Sequence, residues 1–190
     1  HIKQRETLRV GSFKDDHEKK ISNEIPKKKR YNYIWKANQR TRTKKIMQTK
    51  EFKLGSQTVK IDTGLIAKQA NASVTVEIDG TVILGTLVAS SEPNTRDFFP
   101  LTVNYNEKSY AAGKIPGSFF KREGRPSEKE TLISRLIDRP LRPLFAATYN
   151  QEVQIVLTLV SYNPEIDPEV PALIAASTCV KLAGLPFNGT

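Results

Sequence analysis

An alternating apolar pattern with a two-residue break constrains the fold of this chain most strongly. Residues 74–78 alternate valine or isoleucine with polar side chains, Asp79-Gly80 follows, and apolar residues resume at Val82 and Leu84. Alternating runs joined by Asp-Gly are typical of a β-hairpin, because both residues of the tight turn need positive φ angles. The sequence therefore predicts an antiparallel pair here, within a larger sheet.

Other short apolar runs predict the remaining strands. Residues 52–54 and 58–61 form two of them, joined by a Gly55-Ser56 turn. Residues 98–105 and 153–160 form two more, and the last is long and apolar enough to be central.

A helix is predicted near the end of the chain. Asp167 and Pro168 stand in the preferred order of a cap and a first-turn proline, and Gly184 ends the segment. Alanines at 172, 175, 176 and 183 permit close packing on a sheet. Because strands and helices interleave, we expect an α/β or α+β fold with helices on one face of a mixed sheet.

A second predicted helix carries a row of arginines. Ser127 and Glu130 form a capping-box pattern, so the helix should begin near Glu128, and Pro140 should kink or end it. On a helix its three arginines fall within an arc of roughly 60°; they are Arg135, Arg139 and Arg142. The neighbouring arc predicts a buried face of Leu132, Ile133, Leu136 and Ile137.

Aligned arginines suit bidentate contact with phosphates. The alternative is a solvated edge in which Asp138 pairs with Arg135 or Arg142. Asp138 can neutralise only one of them. For Arg142 we favour this structural pairing, or a contact with a helix-end carbonyl.

The loop before this helix joins aromatic rings to cations. Phe119 and Phe120 directly precede Lys121 and Arg122, and Arg125 follows. Bases of single-stranded RNA stack on such rings while cations meet the phosphates, at about 1–3 kcal/mol for each stacked base. The alternative is a hydrophobic loop plug beside a solvated basic helix.

The segment SFFKREGRPSEKETLISRLIDRPLRPLF resembles the first catalytic-core repeat of the bacterial polynucleotide phosphorylase family. The likeness continues upstream through TGLIAKQANASV and DFFPLTVNY, and downstream through SYNPEIDPEV and GLPFNG. It covers residues 47–190. The family usually has two arginines after the paired phenylalanines, whereas Lys121 stands first here, which weakens bidentate contact at that position.

The resemblance implies a ribonuclease PH-like core belonging to a protein with two such cores. That protein degrades RNA from the 3′ end with inorganic phosphate as the attacking nucleophile, and it releases nucleoside diphosphates. Three chains form a ring, and partners in an RNA-degradation complex are possible. Mg²⁺ belongs to the second core, so we expect no metal site here and no activity from this chain alone.

The resemblance also implies roles for individual residues. Phe119 and Phe120 stack bases, and Lys121 and Arg122 contact backbone phosphates. Active-site electrostatics come from Arg125, Arg135 and Arg139. Two alternatives remain open: a single-core ribonuclease PH-like enzyme that trims transfer RNA, and a non-enzymatic RNA-binding module.

The net charge of +10 is confined to one part of the chain. Residues 1–46 hold fifteen Lys/Arg against five Asp/Glu, while residues 47–190 hold fifteen of each sign. We expect 1–46 to be a basic, disordered leader, dispensable for folding, or upstream non-coding sequence translated in frame to the methionine at 47. We expect 47–190 to be one domain, truncated at its C-terminal end.

Several chemical classes are disfavoured by the composition. Cys179 is the only cysteine, on an apolar helix, which indicates core packing and a reducing, cytoplasmic compartment. Both histidines lie within 1–46, and no Walker-type loop or serine elbow occurs. The densest acids, Glu165, Asp167 and Glu169, lie at a helix start where capping would explain them. No secretory signal or membrane association is indicated.

Overall fold

The computed structural model describes residues 47–93, 98–117 and 124–189, which contain six strands and two α-helices. The strands are β1 (Gln48–Leu54), β2 (Gln57–Thr63), β3 (Ala72–Ile78), β4 (Thr81–Pro93), β5 (Leu101–Glu107) and β6 (Gln151–Ser161). The helices are α1 (Glu128–Leu141) and α2 (Glu169–Leu182), with 3-10 turns at Ser109–Ala112 and Arg142–Leu144.

All six strands form one mixed sheet in the order β1-β2-β3-β4-β6-β5. Neighbours are antiparallel except β5 and β6, which are parallel. The predicted hairpins are confirmed: Gly55 has φ 65° in the first turn, and Asp79 and Gly80 have φ 43° and 89° in the second. The second turn has the two positive φ angles of a type I′ turn, which explains the Asp-Gly pair.

The core lies between one face of the sheet and the two helices. The buried residues of β4 alternate from Ile83 to Leu87, and they face the buried row of β6. Helix α2 approaches closely at Gly85, where an added Cβ would stand 3.2 Å from both Ala175 Cβ and Cys179 Sγ. Cys179 is therefore a packing residue, as its apolar helix predicted.

The start of α2 corrects one prediction. Asp167 does not cap the helix: the N-cap residue is Pro168, no side chain caps it, and its carbonyl accepts the first helical bond from Ala172 at 3.1 Å. Asp167 lies one position too early, so capping explains neither it nor Glu165. The other end is as predicted, with Gly184 at φ 69° donating to the carbonyl of Lys181.

Strand β5 begins later than the apolar run predicted. The Leu101 N–H donates to the carbonyl of Phe99 at 3.1 Å, and this tight turn at Pro100 breaks the extended run, so the strand begins at Leu101. The Phe99 ring instead packs with Phe145 and Tyr149, with centroids 4.7 Å and 5.6 Å away. The aromatic residues before β5 thus belong to a small cluster beyond the end of the strand. Strand β6 is interior, between β4 and β5, as its apolar character predicted.

Candidate nucleic-acid interface

Helix α1 begins where its capping box predicts. The Glu130 N–H donates to Ser127 Oγ at 3.2 Å, and the Ser127 N–H donates to Glu130 Oε2 at 2.6 Å. Burial alone would raise the pKa of the Glu130 carboxyl, but the N–H donors of Ser127 and Glu107 outweigh it and hold that pKa below its usual value. The ionised carboxylate therefore fixes the first turn of the helix.

Two side chains of α1 bind the backbone of the edge strand β5. The Glu107 N–H donates to Glu130 Oε1 at 2.7 Å, and the Tyr105 N–H donates to Ser134 Oγ at 2.9 Å. Residues four apart on the helix thus meet residues two apart on the strand. These bonds satisfy N–H groups that point away from β6, and they hold α1 against the sheet.

Arg142 completes the attachment at the far end of α1. Its guanidinium donates to the carbonyls of Phe99 and Leu101 at 2.9 Å and 3.1 Å. The same group contacts the Asp138 carboxylate at 2.8 Å. The structural pairing favoured for Arg142 is therefore confirmed, and its donors are directed at the protein. Pro140 acts as predicted, because the α-helix ends at Leu141.

The buried side of α1 is narrower than the sequence pattern predicts. Ile133, Ile137 and Leu141 are buried, a stripe in which each residue follows the last by four positions. Leu132 and Leu136 are wrongly predicted to be buried, since they are 58% and 53% exposed. Only one side of the helix meets the sheet, and these two leucines lie on the arc between that side and the arginines.

These exposed leucines line a groove of 660 Å³ along α1. Its walls are formed by Lys129, Leu132, Ile133, Arg135, Leu136, Arg139, Pro140 and Glu169 of α2. Within the described ranges, no hydrogen bond or ion pair engages the exposed guanidinium groups of Arg135 and Arg139. The groove therefore offers two available cations beside apolar side chains, opposed by one carboxylate.

Lys129 contributes less charge to the groove than its position suggests. Its Nζ lies 3.0 Å from Glu107 Oε1, and this hydrogen bond raises the pKa of Lys129. The same carboxylate accepts a 3.2 Å hydrogen bond from the buried Tyr105 hydroxyl, whose pKa is raised by burial and then by Glu107. Lys129 thus serves the contact between α1 and β5.

The remaining predicted site residues are distributed unevenly. The structure brings Arg135 and Arg139 to one groove. Arg125 is exposed two residues before the cap and lies outside the groove lining. The stacking and phosphate-contacting residues 119–122 lie outside the described residues. Leu132, Leu136 and Glu169 were not predicted to line the site. The apolar arc of α1 is wide, which indicated that Leu132 and Leu136 could extend beyond the buried side. No local sequence pattern predicts that Glu169 lies near α1.

In the part of the chain that the structure describes, no three His, Cys, Asp or Glu side chains are placed together to hold a metal ion. None of its helices has the length and apolar character needed to cross a membrane.

Two solved structures are similar to this chain over part of its length. Similar solved structures include rice (Oryza sativa) Rrp46, with TM-score 0.49 and 14% identity over 79% of this chain and 63% of that one. Another is the Archaeoglobus fulgidus exosome with RNA bound to the active site, with TM-score 0.49 and 17% identity over 69% and 51%. The chain thus spans less than two thirds of either relative.

A family model described as 3′ exoribonuclease family, domain 1, matches residues 55–186. That range includes all of β2, the four strands that follow it and both helices. The mixed sheet with its two helices is a ribonuclease PH-like fold of the α+β class, and the chain belongs to the 3′ exoribonuclease family.

Proposed function

We propose that this chain is the RNA-gripping first core of a phosphorolytic 3′-to-5′ exoribonuclease of the polynucleotide phosphorylase type. The observation that carries the proposal is the pair Arg135 and Arg139, which line one groove of α1 without partners among the described residues. Membership of the 3′ exoribonuclease family supports RNA as the polymer. Polynucleotide phosphorylase in particular is supported by the sequence resemblance around 118–145.

The two arginines are suited to contact RNA phosphates. A guanidinium group offers paired N–H donors to phosphate oxygens, and its charge persists at any physiological pH. Four residues of helix separate the two Cα atoms by about 6 Å along the axis. Because α1 is capped and bonded to β5, the cations are held on a rigid element.

The exposed leucines complement these cations. Leu132 and Leu136 present apolar surface beside the guanidinium groups, where the face of a base or a ribose can pack without a sequence-specific hydrogen bond. Such binding tolerates any sequence, as a processive exonuclease requires.

Other roles in the proposal derive from the family resemblance. Phe119 and Phe120 stack bases, Lys121 and Arg122 contact the backbone, and Arg125 adds positive charge near the reacting phosphate. Mg²⁺ is held by a second core, and three chains form the active ring in the cytoplasm. Phosphorolysis then depends chiefly on positioning and charge neutralisation.

The main alternatives differ in the coding sequence downstream of residue 190. A second ribonuclease PH-like core followed by RNA-binding domains supports the phosphorylase. A single-core enzyme or an isolated RNA-binding module has no second core in its gene. Sequencing the gene downstream therefore separates these possibilities.

The proposal is tested by removing both groove arginines. In the Arg135→Ala/Arg139→Ala variant, we expect weaker binding to single-stranded poly(A). The slope of log affinity against log salt should become shallower by about 1.4, since each phosphate contact on a single strand contributes about 0.7. Filter binding at several salt concentrations measures both quantities.

A Lys50→Ala/Lys68→Ala variant is the matched control, because it removes two exposed cations elsewhere. If both double variants show the same loss of RNA affinity and the same change in slope, the groove does not contact RNA. The arginines then contribute only through the total positive charge of the protein.

A further inference from the structure

The two edges of the sheet differ in whether side chains bond to their outward backbone groups. At β5, two side chains of α1 bond to the outward N–H groups of Tyr105 and Glu107, and Arg142, directly after α1, bonds to the carbonyl of Leu101. At the opposite edge, all seven residues of β1 are exposed, and the strand contains no proline or bulge. Among the described strands β1 pairs with β2 alone, and an exposed edge strand of this length is a template for pairing with another strand.

The hairpin geometry shows which backbone groups β1 offers. A two-residue turn places Leu54 opposite Gln57, and the pair next to such a turn exchanges hydrogen bonds. Hydrogen-bonded pairs then alternate, so Leu54 and Phe52 bond to β2. The N–H and C=O groups of Glu51 and Lys53 point away from the sheet.

The charge pattern of β1 fits a second copy of itself in one register. Consider an antiparallel pair of β1 strands related by a two-fold axis at Phe52. Glu51 of each copy then lies opposite Lys53 of the other, which gives two pairs of opposite charge. The two Phe52 rings then face each other in a non-hydrogen-bonded pair, where side chains are closest. Axes at Glu51 or at Lys50 instead place like charges directly opposite, which destabilises a sheet.

This register also uses the outward backbone groups. Glu51 and the opposing Lys53 form a hydrogen-bonded pair, so each copy contributes the N–H and C=O groups that β2 leaves free. Side-chain charge, aromatic contact and backbone direction therefore agree on a single arrangement.

We propose that β1 is a self-association edge, through which two copies of this chain pair antiparallel about a two-fold axis at Phe52. The contact is separate from the RNA-binding groove and does not depend on the proposed enzymatic function. Two short strands bury less than about 1,200 Å², so the association is weak and depends on concentration.

Charge reversal tests the register directly. Lys53→Glu places two carboxylates opposite each other in both cross-strand pairs, and Glu51→Lys places two ammonium groups opposite each other there. We expect each variant of the 190-residue chain to dimerise about tenfold more weakly than the wild type. An equimolar mixture of the two variants restores both opposite-charge pairs, so a heterodimer should form with nearly wild-type affinity. Sedimentation velocity over a concentration series measures all three.

Two controls separate pairing from misfolding. Lys68→Glu reverses an exposed charge outside β1 and should leave dimerisation unchanged. In the wild type, amide exchange at Glu51 and Lys53 should slow as concentration rises, while exchange at Lys68 stays constant. A wild-type chain that is monomeric up to about 1 mM, or a dimer indifferent to both reversals, overturns the proposal.

Discussion

Arg142 donates to a carboxylate and to two backbone carbonyls at once. Its pairing with Asp138 could be predicted, because residues four apart share one side of a helix. The contacts with Phe99 and Leu101 could not, since these carbonyls lie 43 and 41 residues away in sequence and no local pattern relates them. Tertiary position, rather than residue type or spacing, therefore distinguishes Arg142 from Arg135 and Arg139.

Arg142→Ala should lower the free energy of unfolding by about 1–2 kcal/mol, because it removes the guanidinium donor from Asp138 and from the Leu101 carbonyl. The Phe99 carbonyl loses one of its donors and keeps the Leu101 N–H. The guanidinium is partly exposed, which keeps the loss below that of a fully buried pair. Arg135→Ala should change the unfolding free energy by less than about 0.5 kcal/mol. Urea unfolding of both variants measures the difference, and equal losses would contradict the structural role of Arg142.

Helix α1 shows which properties of a helix can be predicted from its sequence. Ser127 and Glu130 predicted its first turn correctly, because a capping box is a local arrangement of side chain and backbone. The buried face was partly wrong, because periodicity identifies the apolar arc but not how much of that arc a neighbour covers. Leu132 and Leu136 became part of a groove instead. The bonds from Glu130 and Ser134 to β5 depend on the sheet and were not predicted.

The lowered pKa of Glu130 predicts a stability change with pH. A depressed folded-state pKa contributes stability that is fully present above the unfolded value of about 4.3 and is lost as pH falls through the folded value. Glu130→Gln keeps an acceptor but has no titrating group. The Tm advantage of the wild type over this variant should therefore shrink below about pH 4.

Glu128→Gln is the matched control, because Glu128 is an exposed carboxylate in the same turn. Thermal unfolding from about pH 3 to 7 compares the three proteins. A wild-type advantage over Glu130→Gln that is constant across this range would mean that the charge of Glu130 does not stabilise the first turn.

In the molecule as a whole, the net charge and the family match lie in different parts of the chain. Its net charge lies in residues 1–46, and its family match lies within 55–186. The mixed sheet, the interior β6 and the close packing of α2 on the sheet were predicted, because alternation, length and small residues are visible locally. That the approach occurs at Gly85 was not predicted. The order of the strands and the covering of β5 by α1 were not predicted either, since they arise from contacts between distant segments.

The proposed division of labour between two cores predicts that this chain alone is inactive. Incubated with poly(A), inorganic phosphate and Mg²⁺, it should release no ADP, because the second core supplies the metal site in this proposal. Chromatography of the nucleotides measures the release, with the complete two-core protein as the positive control. Robust release of ADP that requires phosphate would show that the chain contains a working active site.

The attachment of α1 to β5 limits how far this sheet can grow. Side chains of Glu130, Ser134 and Arg142 bond to backbone groups of that edge, so among the described strands β1 is the edge that remains open to another strand. A sheet with one open edge can join a single partner, and the product has a closed edge at both ends. For the sheet formed by the described strands, pairing through β1 therefore ends after one step, and no second open edge is left along which fibres could grow.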